Sequence, residues 1–151
     1  MPIRCEIVSQ DRMVFEGDVD IVVLQGSSGE MGILPNHAPL LSTLGFGILK
    51  VRRANKEDIF TIAGGVVEVQ PDLVTVLADA AENVEEIDTN RAEAAKQRAE
   101  TILKEGPPPG SDAYEAIENA LRRSKLRLDA AQRFRRSTRT PFPGSRDGEN
   151  Q

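Results

Sequence analysis

The chain contains one histidine, His37, and one cysteine, Cys5, so side-chain catalysis has little to work with. His37 lies in GEMGILPNHAPLL, residues 29–41, between Pro35 and Pro39. Nucleophilic catalysis needs an imidazole beside a serine or cysteine and oriented by a carboxylate, and Asn36, Ala38 and Pro39 supply none of these. A lone cysteine forms neither an internal disulfide nor a cysteine-based metal cage, and Cys5 reads as a packed strand residue. The glycines of QGSSGEMG, residues 25–32, do not make a phosphate loop. A Walker loop ends in Gly-Lys-Ser/Thr, whereas Ile33 follows Gly32, and no helix opens here as a dinucleotide loop requires. That stretch reads as a turn. No residue is assigned a catalytic or metal-binding role.

What remains is charge. Asp88 is a candidate helix N-cap, which puts Arg91 at the N3 position, where a capping box would place Glu or Gln. Arg91 is then either a surface partner for Asp88 three residues away or, with the helix N-terminus, an anion site suited to phosphate oxygens. The net charge of −5 also conceals a division: residues 1–86 carry six Lys/Arg against fourteen Asp/Glu, whereas Leu121–Arg139 carries eight basic residues and one acid. Arg122, Arg123, Lys125 and Arg127 spread around a helix axis, and Arg133, Arg135, Arg136 and Arg139 follow. Together they form a basic rod that an acidic protein surface could hold by charge-assisted bonds. Nucleic acid fits less well, because Phe134 is the segment's only stacking aromatic and the rest of the chain is acidic.

The elements that must position these groups divide near residue 86. Upstream, short Val/Ile/Leu/Phe runs are each cut by a turn signal, which predicts strands over 3–9, 13–16, 19–24, 47–53 and 59–63. Val67 and Val69, then Leu73, Thr75 and Leu77, flank Gln70-Pro71-Asp72 and predict a hairpin. Strands without intervening helices argue for a sandwich or flattened barrel, with Gly45-Phe46-Gly47 and Gly64-Gly65 as bulges or corners. Downstream, Ala92, Ala95, Ala99, Ile102 and Leu103 fall at helical spacing after Asp88, and EGPPPG, residues 105–110, must end that helix. A second helix restarts near Ser111-Asp112, with Ile117, Ala120, Leu121, Ser124, Leu128 and Ala131 on one stripe. A short stiff connection makes the two antiparallel. Their facing stripes are rich in alanine and serine, so at ~25 cal/mol per Å² they bury little and can open. Residues 138–151 are polar, rich in turn formers and without periodicity, and are expected to be a disordered tail. No run approaches the ~20 apolar residues needed to cross a bilayer, and MPIRCEIVSQ lacks a signal h-region. The expected location is the cytoplasm or a cytoplasmic membrane face.

Three stretches together carry a resemblance: GEMGILPNHAPLL at 29–41, AGGVVEVQPDLVTVLADAAE at 63–82 and IDTNRAEAA at 87–95. Over roughly residues 2–136 the chain resembles the epsilon subunit family of bacterial and chloroplast F-type ATP synthases. The resemblance implies an α+β fold, with an N-terminal ten-stranded β-sandwich over 1–86 and a C-terminal antiparallel two-helix hairpin over 87–137. It implies a non-catalytic subunit on the rotor stalk, at the cytoplasmic face of the cell membrane. The sandwich would touch the gamma subunit and the c-ring subunits, and the hairpin would extend toward the alpha and beta subunits to inhibit ATP hydrolysis. It requires no cofactor. Some bacterial members bind ATP as a regulatory ligand through Ile/Leu-Asp-x-x-Arg-Ala, which is Ile87, Asp88, Arg91 and Ala92 here, with Glu82, Arg123 and Arg127 at the matching acid and second-helix positions. Glu30 resembles the loop acid near the c ring, His37 lies in the segment associated with gamma, and the Pro-bounded loop is expected to expose Met31, Ile33, Leu34 and His37 together as a docking surface beside Glu30. In the extended form the resemblance implies that basic side chains, here Arg122, Arg123, Lys125, Arg127, Arg133, Arg135 and Arg136, would meet acidic segments of the beta subunits. The chain departs from the family at Gln25, in the proline-rich connection GPPPGSDAY, and after Arg136. The alternatives from other classes are a small hydrolase using His37 and a nucleic-acid or protein adaptor using the basic helix.

Overall fold

The structure is a computed structural model that describes residues 1–26 and 28–135. The expected tail, and with it Arg136 and Arg139, lie outside the described residues. Eight strands are present: β1 (Ile3–Val8), β2 (Met13–Val19), β3 (Ile21–Gly26), β4 (Gly29–Ile33), β5 (Leu40–Arg53), β6 (Lys56–Val69), β7 (Leu73–Ala78) and β8 (Ala81–Asn83). A 3₁₀ turn over Val84–Glu86 leads to α1 (Thr89–Glu105) and α2 (Asp112–Phe134).

Eight strands replace the expected ten because β5 and β6 each run unbroken for 14 residues. Their pairing holds one register from Leu40↔Val69 to Arg53↔Lys56. The bend falls at Gly64 and Gly65, whose φ angles of 84° and 130° no L side chain adopts comfortably. A Cβ on Gly65 would meet the Leu77 carbonyl oxygen at 2.2 Å, so the corner read from the sequence is also a point of close backbone approach. On either side of it the free edge of β6 takes a different partner: Phe60–Ile62 pairs with β8, and Gly65–Val69 with β7. The strands expected at 59–63 and from Val67 are therefore one element. Residues 29–33, expected within a loop, instead form β4 and pair with β3 from Gly26↔Gly29 to Val22↔Ile33.

The bonded order is β2-β1-β7-β6-β5-β3-β4, and the sheet closes on itself as a sandwich. Phe15 of β2 meets Phe60 of β6 edge to face, with centroids 5.7 Å apart, although these strands are not neighbours in the ladder. Alternate residues supply the core between them: Ile3, Cys5 and Ile7 from β1, Val22 and Leu24 from β3, Val74 and Val76 from β7. This is the period-2 burial of a half-covered strand. One pairing, β1 with β7, is parallel and sets Val8 opposite Leu77. It therefore brings the turns that follow both strands to the same end of the sandwich.

The helices are defined by their caps. Asp88 Oδ1 accepts from the Arg91 amide at 3.0 Å, and Ser111 Oγ accepts from the Tyr114 amide at 3.2 Å while donating to the Pro108 carbonyl at 2.7 Å. The alanine and serine seam forms as expected, with Ala92 and Ala99 of α1 and Ser124 and Ala131 of α2 buried. Ile102 departs from that expectation and is 42% exposed. At ~100° per residue the stripe is centred on Ala92, Ala99 and Leu103, and Ile102 lies about 80° to one side. The hairpin is layered on the sandwich through α2, which meets β5, β6 and the 3₁₀ turn. A small apolar cluster of Val84, Ile87, Ala130 and Ala131, backed by Ile48, Ile59 and Phe134, fixes its C-terminal end.

Candidate functional site

A cleft of about 750 Å³ opens between the sandwich and the hairpin. Its sandwich wall is made by the turn after β1, residues 9–12, and by the segment after β7, residues 79–82, the two ends that the parallel pairing brings together. Its other wall is α2, with Ala120, Arg123 and Arg127, and Ala95 enters from α1. Of the residues expected to hold nucleotide, Glu82, Arg123 and Arg127 share this cleft. Arg127 is already engaged: its Nε and Nη2 donate to the two carboxylate oxygens of Glu82 at 2.8 and 3.3 Å. An entering anion would therefore exchange with Glu82.

The remaining expected residues do not line the cleft. Ile87 and Ala92 are buried at 3% and 0% exposure and serve packing. The Asp88 carboxylate caps α1, and the Arg91 side chain is exposed. No Asp88–Arg91 ion pair forms among the described residues; Asp88 Oδ1 instead accepts from the Arg91 backbone amide. The cleft also includes residues that sequence reasoning missed: Arg12, Asp11, Thr61 and Asp79. No local motif marks them: the β1–β7 register brings Asp11, Arg12 and Asp79 to one end, and the β6–β8 pairing sets Thr61 opposite Glu82.

The basic rod stays largely solvated while making contacts: among the described residues Arg122, Arg123, Lys125 and Arg133 are exposed, and Arg127 and Arg135 are half-buried. Arg122 stacks over the Phe46 ring at 4.3 Å, and Arg133 lies 3.4 Å from Asp129 and 5.0 Å from the Phe134 ring. Arg135 donates to the carbonyls of Val84, at 3.3 Å, and Ile87. Lys50 of the sandwich sits over Phe134 at 5.0 Å.

At the opposite surface, Glu30 is exposed on β4 across from Gln25, while Met31, across from Leu24, packs partly against the core. The 34–39 segment is pinned to the β6–β7 turn by the Asn36 amide, which donates to the Pro71 carbonyl at 2.8 Å. His37 Nδ1–H donates to the Ala38 carbonyl at 2.7 Å, and the residue is half-buried. The expectation that Met31, Ile33, Leu34 and His37 are presented together is corrected: Ile33 is fully buried in β4, and the exposed apolar residues here are Leu34 at 56% and Leu41 at 72%. Pairing with β3 turns alternate residues of β4 inward.

Comparison with known proteins places both halves together. A family model described as the beta-sandwich domain of the ATP synthase Delta/Epsilon chain matches residues 2–84, and one described as its long alpha-helix domain matches residues 85–132. The ATP synthase epsilon chain of Dehalococcoides mccartyi is 46% identical over 134 residues, covering 89% of this chain and 95% of its own length. That of Halalkalibacterium halodurans is 42% identical over 131 residues, covering 87% and 98%. Among solved structures, a chain in the Euglena gracilis mitochondrial ATP synthase, OSCP/F1/c-ring in rotational state 1, superposes with a TM-score of 0.69 at 27% identity, covering 86% of this chain and 81% of that one. A chain of the Tetrahymena thermophila mitochondrial ATP synthase central stalk/c-ring shares the fold, with a TM-score of 0.58 at 14% identity.

Proposed function

The chain belongs to the ATP synthase delta/epsilon family, non-catalytic subunits of the rotor stalk within a membrane-associated complex, and from that premise we propose that it works as a two-position latch. Family membership sets aside the hydrolase and the unrelated adaptor. In the proposed reading the sandwich docks on gamma and the c ring at the cytoplasmic membrane face, through the Glu30 and Leu34–Leu41 surface. The hairpin lies down as described or extends toward the alpha and beta subunits, where its basic residues would restrain hydrolysis.

The observation that carries the reading is how the hairpin is held. Its attachment combines a small apolar cluster with polar contacts from α2: Arg122 on Phe46, Arg127 on Glu82 and Arg135 on two carbonyls. Those same cations are the groups an acidic partner would take up, so lying down and standing up compete for them. ATP fits the scheme as a ligand of the compact form, stabilising it by RT ln(1 + [L]/Kd), about 2.7 kcal/mol at 100 times Kd. An unbroken helix of about 25 residues would reach ~37 Å when extended.

The test is ATP hydrolysis by an ATPase reassembled with the wild-type chain or with Arg122, Arg123, Lys125 and Arg127 all changed to Ala. Faster hydrolysis with the neutralised chain is expected, and equal rates would remove the regulatory role. Calorimetric titration of ATP into wild type and Arg91→Ala tests the ligand, and no heat with wild type would end that part.

A further inference from the structure

We infer that Arg12, on the turn between β1 and β2, supplies the sandwich-side cation of the cleft, so that a polyphosphate is held jointly by the sandwich and by α2. This rests on the nucleotide reading above and assigns a residue that the resemblance does not include.

The geometry is specific. The turn is pinned by the Ser9 amide, which donates to the Arg12 carbonyl at 3.0 Å, and by Ser9 Oγ, which lies 3.0 Å from Asp11 Oδ1 and 3.4 Å from the Arg12 carbonyl, with Ser9 itself 8% exposed. The backbone of Arg12 is thereby fixed at the cleft while its side chain stays 53% exposed. Its partner is Glu86, at 3.7 Å and 64% exposed. A pair this open to solvent is weak and readily exchanged.

Charge singles out Arg12. Without it, the ionisable groups that the sandwich contributes to the cleft are Asp11, Asp79 and Glu82, all acidic, and a phosphate chain would be repelled from that wall. Arg12 is the one cation among the described sandwich residues lining it.

The thermodynamic consequence is larger than one contact. A ligand shifts a conformational equilibrium only through its differential affinity for the two states. Arg123 and Arg127 travel with α2 and could hold phosphate whether the hairpin is down or extended. Arg12 stays with the sandwich, so its contact with an α2-bound phosphate exists only in the compact state. Its direct contact with the ligand therefore converts binding into latching.

The experiment titrates ATP, and separately inorganic tripolyphosphate, into the full-length wild-type chain, Arg12→Ala, Arg12→Lys and Glu86→Gln by calorimetry, with trypsin protection of the hairpin as a second readout. Arg12→Ala should bind ATP at least about tenfold more weakly and lose ATP-dependent protection, Arg12→Lys should recover part of both, and Glu86→Gln, which frees Arg12, should bind two- to threefold more tightly, taking a charge-assisted contact as the scale. If wild type binds ATP and Arg12→Ala and Glu86→Gln bind like wild type, the role of Arg12 is overturned while the nucleotide reading stands. If wild type binds neither ligand, both are overturned.

Discussion

Arg127 of α2 and Glu82 of β8, 45 residues apart in the chain, form a two-point ion pair across the boundary between hairpin and sandwich. Their side chains are 28% and 24% exposed, so the pair is less screened than a surface bridge, and each hydrogen bond involves a charged group. Losing it should cost the compact state about 1–3 kcal/mol. Arg127→Ala and Glu82→Gln should each speed tryptic cleavage of the hairpin, and the exchanged pair Glu82→Arg with Arg127→Glu should restore part of the protection. Unchanged cleavage in both single variants would show that the pair is not a latch.

A second attachment lies at the far end of α2. Phe134, half-buried beneath Lys50, packs against the cluster of Val84, Ile87, Ala130 and Ala131, and Arg135 reaches the carbonyls of Val84 and Ile87. Phe134→Ala should weaken docking of the helix end by roughly 2 kcal/mol, about half the cost of truncating a fully buried phenylalanine. Hydrogen exchange should then rise together in residues 84–88 and 128–134. A rise confined to α2 would mean that the helix end and the 84–88 segment are not coupled.

How much of this was legible in the sequence follows from the range of each interaction. The Gln70-Pro71-Asp72 turn, the Asp88 and Ser111 caps and the alanine seam are local or periodic, and each appears where its residues point. β4 escaped because GEMGI has two glycines in five residues and owes its extended form to pairing with β3. The cleft was half legible. Glu82, Arg123 and Arg127 came through family resemblance, while Arg12 and Asp79 are brought in by the parallel β1–β7 register, which no local pattern encodes. Asp88 and Arg91 show the converse, a matching motif whose carboxylate caps its own helix.

Glycine positions separate a required corner from a tolerant one. Gly65 combines φ of 130° with a 2.2 Å approach of the Leu77 carbonyl to any added Cβ. Gly65→Ala should therefore destabilise the sandwich by about 3 kcal/mol or more and lower its melting temperature sharply. Gly45 has open space around the Cβ position, and Gly45→Ala should melt within a few degrees of wild type. Similar melting of the two variants would contradict the strained corner.

The proposed docking surface is tested by charge. Leu41 is 72% exposed and Leu34 56%, beside the groove formed by Pro39 and the β6–β7 turn. Because little of the Leu41 side chain packs internally, Leu41→Asp should change stability by less than about 0.5 kcal/mol, the usual range for surface substitutions. It should nonetheless abolish co-purification with gamma, since burying an unpaired carboxylate in an interface is costly. Retained co-purification would place the rotor contact elsewhere on the sandwich.

The pH dependence on the alkaline side turns on Cys5. Burial in β1, reinforced by the neighbouring Glu6 carboxylate, pushes its thiol from an ordinary value of 9.0 up to about 12. Between those values the unfolded chain releases the proton and the folded chain keeps it, so the unfolded state binds fewer protons and stability falls as pH rises. The thiol's contribution is thus fully present below about pH 9 and declines toward pH 12 with a limiting slope of about 1.4 kcal/mol per pH unit. Cys5→Ala removes this titration: it should be less stable at pH 7, through the lost sulfur packing, yet lose less stability between pH 9 and pH 11 than wild type. Denaturant melts at pH 7, 9 and 11 give the comparison, and parallel declines in the two proteins would show that the thiol does not titrate differently on folding.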